Sequence, residues 1–181
     1  MGVIMNKVTI SGHPGSGTST LVEGLKENFG WKSINGGEIF RNEAKNRGVS
    51  LAEFGRICSE DESVDLQLDE ILRRHIADNS INIVESRLAG WWAYKMESDC
   101  IRIWLKVSEH ERANRVTTRE GISLDEAKKA NAKRLMVDNE RYQKMYDLTP
   151  DDPTPYTHII DATDITAQQV LEKVITILGD Y

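Results

Sequence analysis

Val8-Thr9-Ile10-Ser11-Gly12-His13-Pro14-Gly15-Ser16-Gly17-Thr18-Ser19 is a short apolar run that breaks into a glycine-rich turn. A helical pattern follows, opening near Ser19 and expected over Thr20–Phe29. The turn fits the phosphate-binding loop G-x-x-x-x-G-K-[ST] at every specified position except the lysine, where Thr18 stands. Gly12, Gly15 and Gly17 permit a tight turn and close approach of the backbone to a ligand. The N–H groups of such a loop, with those opening the next helix, form a nest that binds anions. Ser19 stands where a hydroxyl ligates Mg²⁺. The bland alternative is a strand-to-helix turn with no ligand, and few such turns match this spacing.

Outward from the loop, the apolar stretches Lys7–Ile10, Trp31–Ile34, Ile81–Glu85, Ile101–Val107 and Tyr156–Asp161 read as strands. Helical patterns separate them, which predicts an α/β fold: a five-stranded parallel sheet with helices on both faces. Ligands of such sheets bind beyond the carboxyl ends of the strands. Ser50/Glu53, Ser108/Glu111, Ser123/Glu126 and Thr166/Gln169 have capping-box spacing and mark helix starts. Between the second and third strands three helices are expected, roughly 37–46, 50–58 and 64–79. That is too much chain for one crossover, so part of it is expected to hold a substrate. Asp147–Pro155, with three prolines and three aspartates, reads as a surface loop.

Composition narrows the function. The 181 residues suit one domain, and a net charge of −6 argues against a general nucleic-acid surface. Any phosphate site must therefore concentrate its cations locally. Cys58 and Cys100 are too few and too isolated for a zinc site or a disulfide framework, and read as buried free thiols of a reducing cytoplasm. No apolar run reaches membrane length, and the N-terminus has no secretory pattern. A cytoplasmic protein is expected.

The arginines are placed to supply those cations. Arg112, Arg115 and Arg119 fall on one face of a helix that starts at Ser108. Arg134, Asp138 and Arg141 share a face of the next helix, with a hinge expected at Thr117–Gly121. Two antiparallel helices can thus aim up to five guanidinium groups at one space, and arginine suits phosphate because its planar fork binds two oxygens. Ordinary solvated faces are the alternative, and Lys128, Lys129 and Lys133 read that way. Glu85-Ser86-Arg87 closes the third strand at the ligand edge, as an Mg²⁺-linked carboxylate and a phosphate ligand or as a plain strand-end ion pair. Gly36-Gly37-Glu38-Ile39-Phe40-Arg41 opens a helix with a flexible start that admits close backbone approach. Trp91 and Trp92 read chiefly as packing, with one ring able to flank a base. His13 lies in the loop, while His75, His110 and His158 show no metal spacing.

In order along nearly the whole chain, these segments resemble the cytidylate kinase family in its short archaeal type. The matching stretches are Ile10–Gly17, Gly36–Arg41, Glu85-Ser86-Arg87-Leu88-Ala89-Gly90-Trp91, Arg119-Glu120-Gly121-Ile122-Ser123, and Arg134 through Arg141-Tyr142 to Tyr146. The resemblance implies a three-layer αβα P-loop NTPase core in a single domain over residues 1–181. It also implies an NMP-binding subdomain over about 36–80 and a short LID over about 115–135. It implies transfer of the ATP γ-phosphoryl group to CMP, and to dCMP, with Mg²⁺, in a monomer whose partners are small nucleotides and neither nucleic acid nor membrane. ATP phosphates would be held by Gly12, His13, Pro14, Gly15, Ser16, Gly17, Thr18, Ser19 and Thr20, with metal at Ser19 and Glu85 in its outer shell. Gly37, Arg41, Arg87, Gly90, Asp138 and Arg141 would bind the acceptor, and Arg115, Arg119, Arg134 and Arg141 would be catalytic. Ser86 departs from the glycine usual in the family, and Gly36 from the serine of several relatives. Threonine at position 18 looks like a variant that recurs beside intact motifs.

The expected mechanism places ATP on the loop and the acceptor phosphate between Arg41 and Arg87. Closure of the LID then brings in Arg115, Arg119 and Arg134 to supply the charge that Thr18 lacks. Two alternatives stay open at this point. The acceptor can be UMP, AMP or a small alcohol, since the fold does not choose it. The chain can also be a non-catalytic nucleotide-binding protein.

Overall fold

The computed structural model describes residues 7–179. Its centre is β1 (Val8–Gly12), whose five residues are all buried. The other strands are β2 (Ser33–Asn35), β3 (Ile83–Glu85), β4 (Ile101–Lys106) and β5 (His158–Asp161). They form one sheet in the order β2-β3-β1-β4-β5, and every neighbouring pair is parallel. The predicted five-stranded parallel α/β sheet is present, each strand within two residues of its expected bounds. In register, Ile10 lies opposite Glu85 on one side and Ile103 on the other. The carboxyl ends of β1 and β3 therefore meet, which puts Glu85 beside the start of the loop.

The alternation of side chains along β1 builds two different faces. Val8 and Ile10 join Leu21, Val22 and Leu25 of α1 (Thr18–Phe29) and Val170, Val174 and Leu178 of α8 (Ala167–Gly179) in one core. Thr9 and Ser11 face the other way, where small polar side chains allow α5 (Ala89–Lys95) to come close. Gly90 N–H donates to Ser11 Oγ at 3.3 Å. A Cβ on Gly90 would sit 2.4 Å from the Tyr156 ring. On this face Trp91, Trp92 and Val84 pack with Leu72 and Ile76 of α4 (Glu62–Ala77). The two tryptophans are packing residues: Trp91 Nε1 donates to Thr149 O at 2.9 Å, and Arg73 stacks over Trp92.

Three helices connect β2 to β3, as the sequence predicts: α2 (Gly36–Asn46), α3 (Leu51–Glu60) and α4. They have a small core of their own around Ala44, Phe54 and Val64. A fourth apolar cluster, Ala113, Val116 and Ala127, joins α6 (Glu109–Glu120) to α7 (Leu124–Tyr146). The hinge between them is shorter than Thr117–Gly121. Thr117 and Thr118 donate back to the carbonyls of Ala113 and Asn114, so the helix runs on to Glu120. Gly121, at φ 68°, turns the chain in the left-handed conformation glycine favours, and the Ser123/Glu126 capping box starts α7. Among the described residues no helix is long and apolar enough to cross a membrane.

Lys7 ties the insertion to the sheet. It is 9% exposed, and its ammonium group donates to Ile76 O at 2.6 Å and Asp78 O at 2.7 Å, at the end of α4. A cation suits the negative end of a helix, and its removal strands buried carbonyls. Lys7→Met is expected to destabilise the protein by roughly 2–3 kcal/mol, seen as a lower urea midpoint at unchanged slope; an unchanged midpoint would show that the contact is idle.

Candidate active site

The loop is closed on itself and gripped from behind. Ser16 N–H and Ser16 Oγ both donate to His13 O, at 3.1 and 2.7 Å. Gly15 and Gly17, at φ 83° and 89°, take left-handed conformations that a side chain would strain. Arg112 Nη1 donates to Pro14 O at 3.2 Å and Arg115 Nη1 to Ser16 O at 2.9 Å. In a planar trans peptide the N–H points opposite to the carbonyl. With those two carbonyls turned to α6, the N–H groups of Gly15 and Gly17 point away from it, as a phosphate nest requires.

Thr18 opens α1 and is buried, and its hydroxyl donates to Glu85 Oε1 at 2.7 Å. Burial pushes the Glu85 carboxyl above the usual carboxylate range, against the Thr18 hydrogen bond and the charge of Arg87. Ser19 is exposed and, with Glu85, lines the cleft beyond the strand ends. Among the described residues no cluster of three His, Cys, Asp or Glu can hold a metal. Mg²⁺ does not need one, because it keeps waters and takes one or two protein oxygens beside substrate phosphates. The hydroxyl of Ser19 and the carboxylate of Glu85 are hard oxygen donors of that kind.

The cleft has a volume of about 560 Å³. Arg41, Arg87, Arg119, Arg134 and Arg141 line it, together with Asp65, Asp69, Glu85 and Asp138. Arg87 donates from Nη1 to Gly12 O at 3.1 Å, and its Nε lies 3.4 Å from Asp138 Oδ2, a charge contact without hydrogen-bond geometry. Arg141 donates to Asp65 Oδ1 and to Tyr142 Oη, both at 3.0 Å, and lies over the Tyr142 ring. Burial raises the Asp65 carboxyl despite its partner Arg141, and pushes the Tyr142 phenol up to about 12. Arg41 and Arg134 have no ion pair among the described residues, and Arg119 pairs only with its exposed neighbour Glu120. Of the loop, His13, Pro14, Gly15, Gly17, Thr18, Ser19 and Thr20 line this cleft, as does Gly37 at the start of α2. His13 stands 3.3 Å from Asp151 and edge-on to Trp104.

A second cavity, of about 460 Å³, lies on the other side of the loop. Ser16, Gly17, Thr20, Arg115, Arg119, Ile165 and Val170 are in its wall. Arg115 belongs here and not to the first cleft. Its guanidinium is committed to Ser16 O, to Ala162 O at 2.6 Å and to Glu111 at 2.9 Å. Gly12 ends the buried β1 and reaches the site only through its carbonyl. Gly90 lies outside both walls, in the close packing against Tyr156.

Sequence reasoning missed Asp65 and Asp69, which lie one turn apart on α4 and face the cleft with Leu68 and Leu72. Asp69 accepts a hydrogen bond from Tyr146, 77 residues away. Such pairs depend on how α4 meets α7, so no local pattern reveals them. Asn35 was legible: Asn35-Gly36-Gly37-Glu38 has capping-box spacing, and the box is formed, with Glu38 N–H donating to Asn35 Oδ1 at 2.8 Å.

The model of the cytidylate kinase-like family matches residues 7–164. The cytidylate kinase of Methanospirillum hungatei JF-1 is 40% identical over 165 residues, covering 91% of each chain. That of Methanosarcina mazei is 40% identical over 167 residues, covering 92% of each. Among solved structures, a gluconokinase from Sinorhizobium meliloti superposes with a TM-score of 0.62 at 16% identity, covering 97% of this chain and 92% of its own. That last likeness speaks for the fold alone. From the profile match and the two relatives, with the loop and its arginines in place, the chain belongs to the cytidylate kinase-like family.

Proposed function

We infer that this protein is an ATP-dependent kinase that transfers the γ-phosphoryl group of ATP to CMP, and to dCMP, giving CDP or dCDP and ADP. The observation that carries the reading is the convergence of five guanidinium groups, from four separate segments, on one cleft facing the loop. Two phosphorylated substrates must be brought together there against their mutual repulsion, and little else is asked of a phosphoryl-transfer site. A non-catalytic nucleotide binder has no use for cations on the acceptor side.

The donor phosphates rest on the N–H groups of Gly15 and Gly17 and of the start of α1, and the donor nucleoside occupies the second cavity. Arg115 holds the loop from that side. Arg41 and Arg87 take the acceptor phosphate, and Arg119 and Arg134 reach the transferring group from the rim. Ser19, with Glu85 behind it, would hold Mg²⁺, which would supply charge neutralisation on the donor oxygens. Residues 36–80 form the acceptor-holding unit and residues 115–135 the lid. Each carries a small apolar cluster of its own, around Phe54 in the first and Val116 and Ala127 in the second, while Ile39, Leu72 and Ile76 keep the first seated on the sheet as it closes. We place the protein in the cytoplasm as a monomer.

The cleft wall beyond Arg141 combines Leu68 and Leu72 with the carboxylates of Asp65, Asp69 and Asp138. Carboxylates accept from the exocyclic amino group of cytosine, and uracil offers a carbonyl in its place. CMP is therefore favoured over UMP. In an assay of ADP release with CMP, dCMP, UMP and AMP, CMP is expected to exceed UMP in kcat/KM by at least ~10²-fold, and EDTA is expected to abolish turnover. Equal rates with UMP would discard the base reading, and ATP binding with no ADP release from any acceptor would discard the kinase.

Thr18 spends its hydroxyl on Glu85, so the lysine's charge must come from elsewhere. Arg119→Ala and Arg134→Ala are each expected to lower kcat on the order of 10³-fold, and Thr18→Ala by less than about tenfold. Similar small losses in all three would show that the rim arginines do not replace the lysine.

A further inference from the structure

Arg112 is the one arginine of α6 without a role in the mechanism above. It is 5% exposed. Among the described residues its side chain makes one hydrogen bond, from Nη1 to Pro14 O at 3.2 Å, while Nε is buried without a partner. Among the described residues no carboxylate lies within ion-pair distance of it, whereas Arg115, one turn on, is paired with Glu111. Glu109 and Asp151 act on it only from further away, and Arg87 repels it. Burial accordingly holds its pKa below the usual arginine range. A buried guanidinium with one neutral partner is costly to keep, and is normally matched by an anion. Here no described carboxylate comes within ion-pair distance, and Glu109 and Asp151 act only from further away.

The loop lies directly against it. A Cβ on Gly15 would stand 2.7 Å from the Arg112 carbonyl and 3.3 Å from its Cβ, so the loop and the first turns of α6 are in van der Waals contact. The peptide that Arg112 grips, Pro14–Gly15, is one whose N–H faces the site. Resting on the reading of the loop as the donor-phosphate site, we propose that Arg112 is a positioning residue that takes over one part of the absent loop lysine's work, the binding of the donor phosphates, and leaves the transferring group to the rim arginines. It fixes the Pro14–Gly15 peptide and contributes, from behind the loop, a positive charge that the donor phosphates neutralise. Unlike the rim arginines, it is in place before any closure. It strengthens donor binding rather than acting on the transferring group.

The test uses the full chain and inorganic tripolyphosphate, which needs the loop and neither nucleoside nor acceptor. Calorimetry would compare wild type, Arg112→Lys, Arg112→Met, Thr18→Lys and the Arg112→Met/Thr18→Lys double variant. Arg112→Met is expected to weaken binding by at least ~10-fold, and Arg112→Lys, which keeps the charge, by no more than ~3-fold. Thr18→Lys should restore most of the loss in the Arg112→Met background and do little in wild type, the non-additivity expected of two residues in one role. Binding by Arg112→Met within about twofold of wild type would overturn the proposal. So would an Arg112→Lys variant that melts like wild type yet binds as weakly as Arg112→Met, or a Thr18→Lys gain equal in both backgrounds. Failure of CMP as an acceptor would fault the acceptor reading above and leave these binding results unaffected.

Discussion

The grip of two α6 arginines on the carbonyls of Pro14 and Ser16 is the contact on which the rest of the site depends. A glycine-rich loop has many conformations, and a phosphate nest needs one in which successive N–H groups point the same way. Planar peptides make the two requirements equivalent: once the carbonyls are held on one side, the amides face the other. Arg115 extends the grip to Ala162 O just past β5, so the first turns of α6 tie the loop to the strand end. On the reading of the loop as the donor site, that site is in place without substrate, and adjustment falls to the proposed acceptor side and lid.

Charge is distributed to match that division. The protein carries a net −6, yet its cleft is lined by five arginines and four carboxylates. Arg141 is held by Asp65 and Tyr142, and Arg87 is placed by Gly12 O and Asp138, so the inner cations are fixed in direction. The outer ones, Arg41, Arg119 and Arg134, are on exposed helix faces. Exposed arginines keep their hydration until an anion arrives, so they do little to a distant phosphate in the open state. Water exclusion on closure is what would make them strong. Such a gradient, fixed within and free at the rim, would let substrates bind before the full cationic field is assembled.

Much of this was legible in sequence, and the parts that were not share a cause. The loop, the sheet and the insertion of three helices follow from local patterns: apolar runs of strand length, capping residues and glycine spacing. The one-face arrangement of Arg112, Arg115 and Arg119 also follows from periodicity. What periodicity cannot say is how far along a helix the neighbouring element reaches. α6 slants so that Arg112 is beneath the loop, Arg115 at its side and Arg119 at the rim, and three residues of one stripe have three different surroundings. Gly90 sits in a stretch shared with the family, but its small size serves the approach of Tyr156. Asp65 and Asp69 emerge only from the packing of α4 on α7.

The same slant explains why a threonine at position 18 is compatible with an intact site. A lysine there reaches over the loop from the α1 side, whereas the Thr18 side chain reaches Glu85 on β3. That hydrogen bond orients a carboxylate that burial would otherwise leave costly to ionise. On the proposal that Arg112 contributes to donor binding, part of the compensating charge lies on a helix that already holds the loop. On that proposal the missing lysine is a change of which elements carry the charge, from the helix after the loop to the helix behind it and the rim.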